Sequence, residues 1–317
     1  MNNITWRNNK LAARVQSAVL VVSLTFLLGF AGWLFGGDQM AFMLIAGLVI
    51  MYFIGPIISP ALIIRFNSGR RLSLDEAPQL YGILKNLARK AELPRLPALF
   101  YMPADQMLAF TAGSRENAAI AVSEGLIRGL SRQELAAVLA HEISHIRHND
   151  TRIMAFAGMV SQVTSLLSVF GQLLLLLSLP VILAGQVLVS WPAIFLLIFS
   201  PTIASLLQLA LSRSREYNAD MSASELMGDP VPLATALAKI DRELKRLYGR
   251  LIWPMGPRLP QATWLRTHPP TKERIRRLLA AGSVDNSAMP NDYYSAREPV
   301  NGRYCAQGNP RCVSNLI

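Results

Sequence analysis

The sequence is poor in cysteine and in charge, and both shortages narrow what the protein can be. Its 317 residues include only two cysteines, Cys305 and Cys312. This excludes a disulfide framework and favours a reducing compartment, while a local disulfide or a metal clip between the two thiols stays open. Only 16% of the residues are charged and 52% are hydrophobic, whereas ordinary soluble domains are about 25% charged. A water-exposed surface therefore cannot account for the whole chain.

The longest stretch without charge lies in the second half of the chain. No Asp, Glu, Lys or Arg occurs in residues 153–212, which is enough for two membrane-spanning helices of about 20 residues each. We place these spans at Gly158–Leu179 and Leu188–Leu207, with a turn around Pro180 to Gln186. Two long soluble helices would instead carry polar residues at helical spacing on one face, and the run Leu173–Leu177 does not fit that pattern.

Two further apolar runs lie near the N-terminus, at Ala18–Phe35 and Met40–Ile64. The first follows basic residues, as a signal peptide does, but it lacks a clear small-residue cleavage site and a second run follows at once. We therefore predict a retained anchor. The second run is long enough to span a bilayer with some tilt, and Pro56 and Pro60 are expected to end or kink it near its exit.

Basic residues mark one side of the membrane. They flank the inner ends of all four runs: Arg7, Lys10, Arg14, Arg65, Arg70, Arg71, Arg147, Arg152, Arg213 and Arg215. The two outer turns carry only Asp38. The positive-inside rule thus predicts that both termini and all charged segments are cytoplasmic. The same rule explains the net charge of +11 without nucleic acid, because no basic-aromatic motif accompanies the charge.

Histidine is also scarce, and three of the four histidines lie in one short segment. His141 and His145 form an H-E-x-x-H pattern with Glu142 between them. On a helix the two histidines share a face and can bind one ion, and Glu142 can serve as the general base for the attacking water. His148 lies one turn further on and could be a ligand or only a polar residue near the helix end. Ser131–Glu134 predicts a capping box at the start of this helix.

A catalytic zinc needs a third protein ligand and one open position. His268 is one candidate, and Glu216, which lies directly after the fourth apolar run, is another. Asp220 lies four residues further on and shares a face with Glu216, so it could accept the free ring N–H of a zinc-bound histidine. A plain surface helix with Glu216 in water is the alternative. A hairpin of two spans returns the chain to the side it left, which allows Glu216 to meet His141.

Together these residues resemble the M48 metallopeptidase family, specifically its HtpX-like membrane branch. The matching segments are His141-Glu142-x-x-His145, Ser212-Arg213-x-Arg215-Glu216-Tyr217-x-Ala219-Asp220, and Thr267-His268-Pro269-Pro270 before Arg274-Ile275. The resemblance covers roughly residues 65–279 and the two N-terminal spans. It implies an α+β, mainly helical fold with four transmembrane helices, a gluzincin-type protease domain and one Zn²⁺ per chain.

The resemblance also implies a setting and a partner. It implies a multi-pass protein of the cell inner membrane whose active site faces the cytoplasm. The substrates would be proteins or peptides, above all membrane or misfolded proteins, and the role would be quality control in the stress response. Nucleic acid is not expected as a partner, whereas the lipid bilayer is.

The family fold implies a small sheet whose edge strand holds the substrate in extended form. The sequence predicts strands at Ala98–Met102, Leu108–Ala112 and Ala118–Val122, and an amphipathic helix at Pro78–Glu92. Leu108, Ala109 and Phe110 lie where relatives often have Asn-Ala-Phe, so they are expected to bind substrate. Backbone pairing along the strand does not need the Asn side chain.

We therefore predict five segments along the chain. These are a transmembrane hairpin at 1–64, protease parts at 65–152 and 212–281, a second hairpin at 153–211, and a flexible tail at 282–317, which is rich in Asn, Pro, Gly and Ser. His268 is expected either to donate a hydrogen bond to the oxyanion of the attacked carbonyl or simply to support the Pro turn.

Two other functions remain open at this point. A prenyl-protein protease of the larger M48 membrane branch would have more spans than this chain can provide. A non-enzymatic four-span protein, such as a small channel or scaffold, would use the histidines structurally. Glu142 argues against the latter, because a structural zinc site is usually closed by four ligands and needs no base. The absence of charge within the predicted spans argues against a transporter.

Overall fold

A computed structural model describes residues 3–54, 60–66, 68–185, 191–251 and 270–281. Within these ranges the chain forms nine helices and four short strands. In order they are α1 (Asn3–Ile54), α2 (Pro60–Phe66), β1 (Arg70–Arg71), α3 (Pro78–Lys90), β2 (Ala98–Met102), β3 (Ala109–Gly113), β4 (Ala118–Ser123), α4 (Glu124–Gly129), α5 (Arg132–Arg147), α6 (Asp150–Leu183), α7 (Trp191–Met227), α8 (Val231–Leu251) and α9 (Thr271–Ala281). The predicted class, α+β and mainly helical, is confirmed.

The chain divides into two compact units, which we call the membrane unit and the peptidase unit. The membrane unit comprises the described parts of residues 1–57 and 152–215, and the peptidase unit those of 58–151 and 216–317. These boundaries lie a few residues from the predicted ones, and the five-segment assignment stays a prediction. His268, the two cysteines and the predicted tail lie outside the described residues.

The helices that are long and apolar enough to cross a bilayer lie mostly in the membrane unit. Four such candidates occur in the described ranges: Val15–Leu34, Gly36–Phe53, Asp150–Leu183 and Ile194–Met227. The first two belong to α1, which is interrupted at Gly36 and Gly37, where Gly37 has a φ of +66°. Only glycine adopts this backbone conformation at little cost, so the interruption separates two spans. The prediction of four spans is confirmed.

One predicted span limit agrees with the structure and another was wrong. The helix of the second run ends near its prolines, as expected: α1 ends at Ile54 and a separate helix, α2, begins at Pro60. Proline fits the first position of a helix, where its missing N–H costs nothing. The turn predicted to begin at Pro180 was placed too early, since α6 continues through Pro180 to Leu183. Proline is tolerated inside membrane helices, where neighbouring groups can satisfy the freed carbonyl.

The sheet of the peptidase unit has the strand order β1-β2-β4-β3. Strands β2 and β4 are parallel, and β3 is antiparallel to β4. Strand β3 is therefore an edge strand, as predicted. A tight turn joins it to β4, with the Ser114 N–H donating to the Asn117 carbonyl at 2.9 Å. The prediction that Leu108 lies in the strand was off by one residue: Leu108 precedes β3 and is fixed by the Ser123 hydroxyl, to which its N–H donates at 2.8 Å.

Helix α5 runs through the core of the peptidase unit. The predicted capping box is confirmed, because Ser131 accepts from the Glu134 N–H and the Glu134 side chain accepts from the Ser131 N–H. The helix packs against α3 and α8 in one apolar cluster, which includes Leu84, Leu99, Ile120, Leu139, Ile143 and Leu233. It ends at Arg147, and Asn149, with a φ of +55°, turns the chain into α6. This turn matters for the site, since Asp150 follows it.

Candidate metal centre

Helix α5 presents two imidazoles toward one point. His141 and His145 lie four residues apart on the same face, with ring planes 88° apart and ring centroids 4.7 Å apart. Their Nε2 atoms are separated by 3.1 Å. His141 is buried and His145 nearly so. The pair is thus oriented as the H-E-x-x-H spacing predicts.

Glu216 of helix α7 places one carboxylate oxygen near each imidazole nitrogen. Its Oε2 lies 3.5 Å from Nε2 of His141, and its Oε1 lies 3.6 Å from Nε2 of His145. Donors that surround a tetrahedral zinc ion at about 2.1 Å are separated from one another by about 3.4 Å. The three residues could therefore hold one metal ion, since a ligand atom of each lies within 4.8 Å of the others.

A carboxylate lies next to the Nδ1 atom of each imidazole, on the side away from the cluster of Nε2 atoms. Oδ1 of Asp220 is 3.1 Å from Nδ1 of His141, a close ionic contact rather than an aligned hydrogen bond. Oδ2 of Asp150 is 2.9 Å from Nδ1 of His145. A carboxylate in this place fixes the tautomer and orientation of a metal-binding histidine. Asp220 lies beside the His141 ring, and its role as acceptor of the ring N–H stays a prediction. Sequence reasoning missed Asp150.

Arg274 of helix α9 neutralises part of this negative charge. Arg274 is only 5% exposed, and its guanidinium donates to both carboxylate oxygens of Asp220, at 2.7 and 2.6 Å. It also lies 3.1 Å from Oε2 of Glu216. Buried carboxylates are costly unless they are paired, so Arg274 holds both acids in place. Arg274 belongs to a segment that resembles the M48 family, but nothing in the sequence indicated that it contacts Asp220 and Glu216.

The charges of the site shift the protonation of the histidines. Burial lowers the pKa of His141, but the carboxylates of Asp220 and Glu216 outweigh it and raise that pKa to about 10. Burial likewise lowers the pKa of His145, and the hydrogen bond to Asp150 reverses the effect and raises it. Without a metal the cluster therefore holds protons. Metal binding must displace them, so metal affinity depends on pH.

Glu142, the predicted general base, lies beside the two histidines on α5. It is buried, with 7% of its surface exposed. One of its oxygens, Oε2, accepts a hydrogen bond of 2.7 Å from the Thr111 hydroxyl on β3. Sequence reasoning missed Thr111, because nothing in the strand pattern indicates which helix its side chain faces.

The other predicted residues lie around this cluster. Nδ1 of His148 is 2.8 Å from the Ser144 carbonyl, so His148 caps α5. The group of close donor atoms found among the described residues consists of His141, His145 and Glu216, and His148 is not in it. Ala109 and Phe110 are the first residues of β3, the strand that carries Thr111.

The fold and the site together define a multi-pass membrane metallopeptidase. The family model described as Peptidase family M48 matches residues 75–281. That is well over half of the chain, and the chain belongs to peptidase family M48. Membership in this family supports a metal-dependent protease that acts on peptides or proteins.

Two proteins that are similar in sequence agree with this assignment. The chain is 33% identical over 284 residues to a protein named Protease HtpX homolog from Methylibium petroleiphilum, covering 84% of this chain and 96% of that protein. It is 35% identical over 276 residues to a Protease HtpX homolog from Pyrococcus furiosus, covering 83% and 94% respectively. The crystal structure of S. mikatae Ste24p matches with a TM-score of 0.41 and 20% identity, covering 87% of this chain and 66% of that one. The HtpX-like resemblance predicted from the sequence is confirmed.

Proposed function

We propose that the protein is a zinc-dependent endopeptidase of the cell inner membrane that cleaves membrane or misfolded proteins on the cytoplasmic side. The observation that carries the proposal is the triangle of His141, His145 and Glu216, with donor atoms 3.1 to 3.6 Å apart. Two imidazoles and one carboxylate are a common ligand set of catalytic zinc. A role in quality control during stress accords with the relatives named HtpX.

Each side chain of the site has a distinct task in hydrolysis. A bound zinc ion would act as a Lewis acid and make water a better nucleophile. The Glu142 carboxylate accepts a proton from the attacking water as the new C–O bond forms at the peptide carbonyl. Glu142 then gives this proton to the amide nitrogen as the C–N bond breaks. Asp220 and Asp150 hold the two imidazoles in orientation throughout.

The edge strand β3 is the proposed substrate site. Strand β4 pairs with one edge of β3, and among the described strands no other pairs with the opposite edge. An extended peptide can add to such an edge through backbone hydrogen bonds. Leu108, Ala109 and Phe110 would then lie along the peptide. His268 is proposed to donate a hydrogen bond to the oxyanion.

The cytoplasmic orientation rests on the distribution of basic residues around the four spans. A reporter fused after Arg152 or at the C-terminus is expected to be cytoplasmic, and one inserted at Gln186 to be outside. A C-terminal reporter on the outer side would contradict both the even number of spans and the proposed side of the active site.

Zinc and endopeptidase activity are tested together on the full chain purified in detergent. We expect about one zinc per chain by elemental analysis and cleavage of casein at internal peptide bonds, identified by mass spectrometry. A chelator should abolish cleavage, and added zinc should restore it. Cleavage that survives complete metal removal, or that releases only terminal residues, would refute the proposal.

A further inference from the structure

The proposed general base has a hydrogen-bond partner on the edge strand. The Thr111 hydroxyl donates to Oε2 of Glu142 at 2.7 Å, which is an ordinary length for such a bond. Hydrogen bonds to an ionised carboxylate are among the stronger ones in proteins. Glu142 is buried, so few water molecules can replace this contact. Thr111 thus occupies one of the two carboxylate oxygens of Glu142 with a hydrogen bond.

The strand fixes which way Thr111 points. Side chains alternate between the two faces of a strand. Phe110 and Ala112 pack in a cluster with the inner residues of β2 and α2. Ala109 packs on the opposite face, in the cluster that contains Ile143 of α5. Thr111 shares that face with Ala109, so the strand directs its hydroxyl toward the helix that carries Glu142.

We propose that Thr111 is a positioning residue for Glu142: its hydroxyl holds Oε2 and leaves Oε1 to accept the proton of the attacking water. The inference rests on the proposed function, in which Glu142 is the general base. Because threonine is β-branched, its χ1 angle is restricted, so the strand backbone sets the position of the hydroxyl.

The position of Thr111 links the base to the substrate. Residues Leu108, Ala109 and Phe110 precede it directly and are the proposed contacts of the peptide. One short strand would then hold both the peptide and the carboxylate that acts on the water bound beside it. Alignment of reacting groups is a large part of enzymatic rate enhancement, so loss of the hydroxyl should affect turnover more than substrate binding.

The test compares Thr111→Val with Thr111→Ser in the full-length zinc-loaded protein. Valine keeps the shape and the strand preference but lacks the hydroxyl, and serine keeps the hydroxyl. We expect Thr111→Val to retain one zinc per chain and a KM within about twofold, while kcat falls about 10- to 100-fold, the loss expected for one hydrogen bond to a charged group. Thr111→Ser should keep kcat within about threefold of the original chain.

Thr235→Val is the matched control. Thr235 donates to the Pro232 carbonyl at 2.8 Å in the first turn of α8. The same substitution there removes a threonine hydroxyl at a position away from the site, so activity should not change. Unchanged kcat in Thr111→Val would overturn the inference, and so would an equal loss in Thr111→Ser or a loss of zinc. An active Glu142→Gln protein, or an original chain that is inactive with zinc bound, would instead refute the proposed function.

A second measurement does not depend on turnover. Thermal unfolding of Thr111→Val, Glu142→Ala and the double variant forms a double-mutant cycle, which isolates the coupling between two residues in contact. We expect the double variant to lose less stability than the sum of the single losses. Additive losses would show that the hydroxyl and the carboxylate do not interact, and the inference would fail.

Discussion

The membrane unit and the peptidase unit bury different kinds of polar side chain. In the described part of the membrane unit, every buried polar residue is a serine or a threonine: Ser17, Ser161, Thr164, Ser168, Ser200, Ser212 and Ser214. The peptidase unit buries ionisable residues: Glu134, His141, Glu142, Asp150, Glu216, Asp220 and Arg274. The two units therefore satisfy their polar groups in different ways.

A hydroxyl on a helix can be satisfied locally, as when Thr164 donates to the Val160 carbonyl at 2.8 Å. An ionised group cannot, because burial of a charge is costly without a partner of opposite charge. Arg274, Asp220 and Glu216 come from two helices and depend on one another. The membrane unit is thus specified mainly by apolar pattern, and the metal centre by a few charges that the fold brings together.

The largest expected effect separates chemistry from metal binding within the peptidase unit. Glu142→Gln should keep zinc and lose proteolysis by about 10²–10⁴-fold, because glutamine resembles glutamate in shape but cannot accept the proton. Glu216→Gln should lose zinc together with activity, since it removes an anionic ligand. Zinc per chain and casein cleavage are measured for each purified variant.

The control for both variants is Glu116→Gln, in the exposed turn between β3 and β4, which should change neither quantity. An active Glu142→Gln protein would contradict the role of Glu142. Full zinc occupancy in Glu216→Gln would show that the third ligand is another residue.

The second largest effect tests whether the buried acids Asp220 and Glu216 are stabilised by the cation of Arg274. Arg274→Met removes the cation between Asp220 and Glu216 and should lower the free energy of unfolding of the metal-free protein by about 3–5 kcal/mol, as expected when one partner of a buried ion pair is lost. Arg276→Met is the control, because Arg276 is 73% exposed and pairs only at the surface with Glu273. Chemical unfolding in detergent provides the measurement. Equal free energies of unfolding for Arg274→Met and Arg276→Met would show that the buried acids Asp220 and Glu216 do not need Arg274.

Sequence reasoning succeeded where the signal is local. Apolar runs gave the four spans, the spacing of His141 and His145 gave one shared face, and Ser131 with Glu134 gave the start of α5. Glu216 and Asp220 became candidates because they lie four residues apart just after a span, and their roles stay predictions. These features need no knowledge of which distant segments meet.

The residues that sequence reasoning missed depend on tertiary contacts. Asp150 reaches His145 only because the chain turns at Asn149, and Arg274 reaches Asp220 only because α9 packs beside the site. Thr111 meets Glu142 across the boundary between sheet and helix. No periodicity indicates such pairs, since each partner lies in a different element.

A smaller effect compares the two carboxylates behind the histidines. Asp150→Asn should weaken zinc binding by about 10–100-fold, as removal of such an orienting carboxylate usually does. Asp220→Asn should weaken it more, because it also disturbs the two hydrogen bonds from Arg274. Competition with a chelator of known affinity measures both. A larger loss in Asp150→Asn would show that Arg274 does not stabilise the centre through Asp220.

The smallest effect belongs to the membrane unit. The Ser168 hydroxyl on α6 donates to the Leu197 carbonyl on α7, and it is almost completely buried, with 1% exposed. Hydrogen bonds between membrane helices contribute about 0.6 kcal/mol on average, because the separated helices also find partners. Ser168→Ala should therefore lower the free energy of unfolding by about that amount, measured in mixed micelles.

Ser178→Ala in the same helix is the matched control for this last prediction. Its hydroxyl donates to the Leu174 carbonyl at 2.8 Å within α6 and is exposed, so its removal should change the free energy of unfolding by less than Ser168→Ala does. If Ser168→Ala costs as much as Arg274→Met, about 3 kcal/mol or more, the contrast between the two units fails. The membrane unit would then depend on specific polar contacts as strongly as the metal centre does, and apolar pattern alone would not explain how its helices pack.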